Sequence, residues 1–151
     1  MTAGDTQATA VAAAAAEPAP WGVGFGPKPP VRTPFTPRQL WRLDEALSRS
    51  TWESGITFSV YVGALEEPTH DHAERLHAEL GDAAPQAVLI AVSPGQRVLD
   101  IVTGEASARR LPDRALALAA LSMRASFSAG DLTGGLVNGL RMLSDQAGRA
   151  D

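Results

Sequence analysis

The chain has 151 residues, enough for one domain with its own core, and its 44% hydrophobic and 20% charged content is globular. Its formal net charge is −4 and its largest basic cluster is the pair Arg109–Arg110, so it lacks the basic face that nucleic-acid binding requires. It contains no cysteine, which removes disulfides, thiolate metal sites and cysteine nucleophiles together.

Residues 1–34 are rich in Ala, Pro and Gly, a composition that buries too little apolar surface to offset ordering entropy; the segment reads as a disordered tail. Its alanine run is too weakly apolar for a signal-peptide core and has no basic residue before it. No stretch approaches the roughly 18 apolar residues of a membrane span. The expectation is a soluble, cytoplasmic protein without membrane insertion. "WGVGFG" (21–26) has the glycine spacing of a phosphate loop, but no strand precedes it and "PKPP" follows where a helix should start. Trp21 and Phe25 remain as aromatics that dock back on the domain or onto a partner, or stay idle.

The folded domain is expected over 35–147, with 148–151 as a disordered end. "FTPRQL" opens it. Thr36 is an N-cap, Pro37 takes the first helical position, Gln39 completes a capping box, and Phe35 and Leu40 sit at staple positions. Leu40, Leu43 and Leu47 form the apolar stripe of a helix running to about Ser50. "ITFSVYVGAL" (56–65) alternates and reads as a strand. A helix over about 71–81 follows, with Asp71 and Glu74 as a capping box and Gly81 as its stop. "QAVLIAVS" (86–93) is continuously apolar, the mark of a strand buried on both faces. "SPGQ" is a turn, and "RVLDIVT" (97–103) returns as the next strand of an antiparallel hairpin. The crossover helix makes 56–65 and 86–93 parallel.

Residues 112–127 read as a helix apolar nearly all round: Leu116, Ala120, Met123 and Phe127 share one stripe while Leu118 and Leu121 lie elsewhere. Such a helix is buried on more than one side or sits at an interface. Gly130 ends it. Asp131 caps a last helix whose Leu132, Leu136, Leu140 and Leu143 face the core, and Gly135 and Gly139 let a backbone approach closely. The order predicts a three-layer α/β/α sandwich with a small mixed sheet and about four helices.

Chemistry has few places to live in this sequence. His70, His72 and His77 fall within eight residues, yet no two stand at the i, i+4 spacing of a helical zinc pair; His77 shares the packing face with Ala73, Leu76 and Leu80. No metal and no cofactor is expected. Asp100 lies on an apolar strand face with Val98 and Val102. It marks either a buried charge or an edge strand with the carboxylate on the wet side or paired to an arginine. Glu105, Arg109, Arg110 and Asp113 follow the strand's C-terminal end, where open α/β sheets often bind ligands. Arginines there would hold a phosphate or carboxylate, although a solvated connector with self-paired charges explains them as well. Asp100, Glu105, Arg109, Arg110 and Asp113 are thus weak ligand-binding candidates. No catalytic residue is identified, since neither Ser93 nor Ser107 sits in a nucleophile elbow.

The strand "ITFSVYVGAL", the hairpin "AVLIAVSPGQRVLDIVTG", the junction "RRLPD" and "FSAGDLTGGLVNGL" together resemble the TPM domain, and within that class a soluble actinobacterial branch of unknown function. The resemblance covers roughly 37–146. It implies the sandwich fold, and for the wider class export or membrane anchoring and, in plant members, acid phosphatase activity and photosystem repair. This chain departs from that class in having no signal, no anchor and no acidic cluster for a metal-dependent phosphatase. "DIVTGEASARRLPD" also stands where many relatives have a Gly-rich turn. The functional expectation is therefore a non-enzymatic interaction module, contacting an unknown protein or a second copy. The alternative is a metal-dependent, acid phosphatase-like hydrolase using Asp100, Glu105 and Asp113 with Arg109 or Arg110 on the phosphate.

Overall fold

A computed structural model describes residues 35–149. The expected tail 1–34, with its "WGVGFG" stretch, and residues 150–151 lie outside the described residues.

Helix α1 spans Pro37–Ser54. Its capping box forms as the sequence expects: the Gln39 amide donates to Thr36 Oγ1 at 3.1 Å, and the Thr36 amide donates to Gln39 Oε1 at 2.8 Å. The helix runs four residues beyond Ser50 and stops at Gly55, whose left-handed φ of 79° suits glycine. Strand β1 is Thr57–Val62, shorter than the alternating run. Helix α2 is Thr69–Ala78 and starts two residues earlier than Asp71. Pro68 occupies its N-cap position and no side chain caps it, so the Asp71–Glu74 capping box does not form. His70 is accordingly helical. A 3₁₀ turn over Gly81–Gln86 leads into β2, Ala87–Ser93, in which every residue is buried. A second 3₁₀ turn, Pro94–Gln96, reverses the chain into β3, Val98–Thr103. A six-residue helix α3, Glu105–Arg110, was not visible in the sequence; α4 (Asp113–Ser128) and α5 (Leu132–Ala147) complete the chain.

The sheet has the order β1-β2-β3, with β1 and β2 parallel and β2 and β3 antiparallel. Both relations match the sequence expectation, and the molecule is a three-layer α/β sandwich. Even-numbered β1 and β2 residues such as Phe58, Val60, Val88 and Ile90 join Leu43 and Leu47 of α1, Met123 of α4 and Leu136, Leu140 and Leu143 of α5 in the main core. The opposite face, with Tyr61, Leu89, Ala91 and Val102, is covered by Ala73 and Leu76 of α2. Helix α5 packs between α1 and α4. Gly135 and Gly139 make the α4 contact possible: a Cβ on Gly139 would stand 2.5 Å from Met123 Sδ, and one on Gly135 would stand 2.8 Å from a Phe127 ring carbon.

Helix α4 is less buried than its composition suggests. Only Ala115, Ala119 and Met123 are buried, and Leu118 and Leu121 are 51% and 66% exposed. Burial on several sides is therefore excluded for this helix.

Candidate functional site

The antiparallel turn of β3 decides where the candidate residues go. The rule that ligands gather at carboxyl ends applies to parallel strands. Because β3 runs against β2, its C-terminal end lies beside the first residue of β2, not its last. Gly104, just past β3, donates its amide to the Ala87 carbonyl at 3.2 Å. Glu105, Arg109 and Arg110 thus stand at the amino end of the parallel pair.

The polar groups at that end are engaged by backbone. The buried Ser107 hydroxyl accepts from the Gly104 amide at 2.8 Å and donates to the Ala87 carbonyl at 3.0 Å. His77 Nε2 lies 3.0 Å from the same carbonyl, and since a carbonyl only accepts, Nε2 must carry hydrogen. Arg110 donates from Nη1 to Ser54 O at 2.6 Å, and from Nη2 to Ala147 O at 2.9 Å, Arg149 O at 3.2 Å and Gly148 O at 3.3 Å. One guanidinium therefore satisfies the carbonyl ends of α1 and α5, where the helix dipoles favour a cation. It borders a shallow cavity of about 310 Å³ with Ser54, Gln86 and Ser107. Glu105, Arg109 and Asp113 are exposed, and no ion pair joins them among the described residues.

Asp100 is on an edge strand, as one of its two readings expects, and its side chain is 24% exposed. Its partner is a histidine rather than an arginine. His70 Nδ1 lies 3.2 Å from Asp100 Oδ2, and His70 Nε2 lies 3.0 Å from Glu74 Oε2. The hydrogen bond His70 donates to Asp100, then the Asp100 charge, and to a lesser degree Glu74, raise the His70 pKa above the usual imidazole value. The other two histidines serve elsewhere: His72 Nδ1 accepts from the Glu66 amide at 2.9 Å where the chain leaves β1, and His77 is held by β2. Among the described residues no three His, Asp or Glu side chains are arranged to hold a metal ion.

The carboxyl end of β2 carries a different feature. A cleft of about 460 Å³ opens between the β2–β3 turn, the end of α4 and the start of α5. Leu99, Phe127 and Leu132 give it apolar walls, and Arg97 and Arg124 supply charge. Neither arginine forms an ion pair among the described residues. Arg124 Nη2 donates to the Leu99 carbonyl at 3.3 Å. No local pattern in the sequence signals this juxtaposition, because Arg97 and Arg124 are brought together only by the hairpin and by α4 lying over β3. Trp41 and Trp52 are 66% and 85% exposed. Their eleven-residue spacing puts both on one side of α1, away from the Leu stripe, and that signal was readable.

A family model described as Domain of unknown function (DUF5130) matches residues 22–144. The chain belongs to the DUF5130 family. The match begins inside the Ala-, Pro- and Gly-rich segment. The DUF5130 chain is 32% identical over 114 residues to the uncharacterised protein MT2543 of Mycobacterium tuberculosis strain CDC 1551, covering 76% of this chain and 68% of that one. The same figures hold for the uncharacterised protein Rv2468c of strain H37Rv. Among solved structures, it is similar to the BA42 protein of the psychrophilic bacterium Bizionia argentinensis, at 16% identity and a TM-score of 0.71 over 78% of this chain and 84% of that one. It is also similar to the N-terminal domain of a P. gingivalis protein, at 20% identity and a TM-score of 0.64 over 74% and 75%. At these identities the structures share the fold alone.

Proposed function

We infer that this DUF5130 domain, with 35–147 as its folded unit, is a non-enzymatic protein-interaction module. The observation that carries the reading is the apolar face α4 leaves open. Leu118 and Leu121 are more than half exposed and adjacent on one side of a helix whose other side is core. Large aliphatic side chains grouped on a surface mark contact sites more often than scattered ones. The use of Ser107, His77 and Arg110 on backbone carbonyls supports the same reading, since it draws the polar groups at one sheet end into structure. No specific observation favours the hydrolase. Kinship with TPM proteins, in a soluble actinobacterial branch, belongs to this reading; the parallel β1–β2 pair, the β2–β3 hairpin and the Asp131-capped last helix support it. A cytoplasmic setting does too: no helix among the described residues is long and apolar enough to cross a membrane, and the sequence has no cysteine.

The test is photo-crosslinking in living cells. A benzophenone side chain at position 121 is expected to trap one or a few discrete protein adducts, while the same group at the exposed position 105 traps none. Equal labelling from both positions, or no adduct from 121, would refute the reading.

A further inference from the structure

The hydrogen bonds at β3 show which of its backbone groups face away from the sheet. Gly104 donates to Ala87 of β2. Along an antiparallel ladder the direction of backbone groups alternates, so Val98, Asp100 and Val102 also face β2. Leu99, Ile101 and Thr103 then face outward. The Arg124 contact to the Leu99 carbonyl confirms the sense of this alternation. The other edge of the sheet is treated differently: on β1 the Phe58 amide donates to Thr51 Oγ1 at 3.1 Å, so α1 satisfies part of it. On β3, among the described residues, nothing pairs with the outward groups of Ile101 and Thr103. The strand pairs with β2 over six consecutive residues without a bulge and carries no proline or lysine. Its one charge, Asp100, points to the α2 face and is held by His70. The usual devices that discourage strand addition are therefore few here.

We propose that the outer edge of β3 binds an extended acidic peptide, which adds to the sheet as a fourth strand. This rests on the interaction reading above and names the partner's chemistry. The outward amide and carbonyl groups of Ile101 and Thr103 supply main-chain hydrogen bonds, and alternate side chains of the added strand meet the two faces of the sheet. On the α4 side they meet Ile101 and the exposed Leu121, one turn before Arg124. The acidic preference comes from Arg97 and Arg124, two guanidinium groups at the Leu99 end of the edge that have no carboxylate partner among the described residues. A peptide carboxylate there accepts bidentate hydrogen bonds.

The experiment selects a display library of random ten-residue linear peptides against the full chain, and measures the enriched peptides by titration and amide hydrogen exchange. Enriched peptides are expected to alternate Val, Ile or Leu with polar residues and to keep an Asp or Glu at one fixed position. Binding should slow exchange at the Ile101 and Thr103 amides. Arg124→Ala should weaken binding about tenfold, the scale of one charged hydrogen bond. Ile101→Pro removes an outward donor while leaving the β2 ladder intact, and should abolish it. Should that variant fold poorly, methylating alternate backbone nitrogens of the peptide asks the same question without touching the protein, and should cost at least about tenfold. Slow exchange at Ile101 and Thr103 before any peptide is added would overturn the proposal, because the edge would already be taken. Failure to enrich any peptide would overturn it as well. Peptides that bind through Leu118 and Leu121 but ignore Ile101→Pro and N-methylation would sink strand addition and leave the interaction reading standing.

Discussion

Arg110 shows how a residue type can point to one chemistry and serve another. From sequence it is half of an arginine pair past a strand end, a plausible anion holder. In the fold its guanidinium donates to carbonyls at the ends of two helices that are far apart in sequence, Ser54 of α1 and Ala147 of α5. Those carbonyls have no partner within their helices, and the charge complements both dipoles. Hydrogen bonds to a charged donor contribute about 1.5–3 kcal/mol net, and some of these lie partly exposed. Arg110→Ala is expected to lower unfolding free energy by about 2 kcal/mol in urea titration, while Arg109→Ala, at an exposed side chain with no ion pair among the described residues, changes it by under about 0.5 kcal/mol. Equal effects from the two would show that Arg110 does not clasp the helix ends.

Elements approach closely at several glycines, and Gly104 and Gly139 differ in what stands opposite. A Cβ on Gly104 would run into the carbonyl oxygen of Ala84, and would stand 2.6 Å from that of Pro85. Both belong to backbone that leads into β2 and cannot swing aside. On Gly139 the obstacle is Met123, a flexible side chain, though one with no exposure at all. Overpacking of this kind costs about 1–3 kcal/mol. At Gly139 the gain of alanine over glycine in a helix, about 1 kcal/mol, offsets part of the cost. Gly104 precedes α3 and has no such compensation. Gly104→Ala should therefore cost about 3 kcal/mol and Gly139→Ala about 1 kcal/mol or less in the same titration. The reverse order would mean that the α3 junction can yield and the α4–α5 contact cannot.

Across the whole molecule, what could be read from sequence is what depends on periodicity and local stops. The run 87–92 is apolar throughout because β2 is central and covered on both faces, and Asp100 interrupts the apolar 98–102 because β3 is at the edge. Helix α3 escaped because six residues hold less than two turns, too few for a stripe to show. The α2 start is hidden in the sequence because Pro68 sets it without a side-chain cap. The site was far less legible, since partners are fixed by strand direction: reversing β3 carries Arg110 to the helix ends and sets Asp100 beside His70, thirty residues away. That last pair bears on the stability of the whole fold against pH. His70 is held between Asp100 and Glu74, which raise its pKa above 6.5 in the folded state. A raised histidine contributes stability that is complete below the unfolded value and lost as pH rises through the folded one. Asp44 acts in the same direction in a lower window. Burial raises its pKa above 3.8, one carboxyl oxygen is buried with no partner among the described residues, and its penalty grows as it ionises. Urea midpoints should thus fall twice with rising pH, once above pH 3.8 and again above pH 6.5. His70→Gln should remove only the upper step, and Asp44→Asn only the lower one, raising stability at neutral pH. An upper step that survives in His70→Gln would show that the link between α2 and the edge strand carries no net free energy, and that another group titrates there.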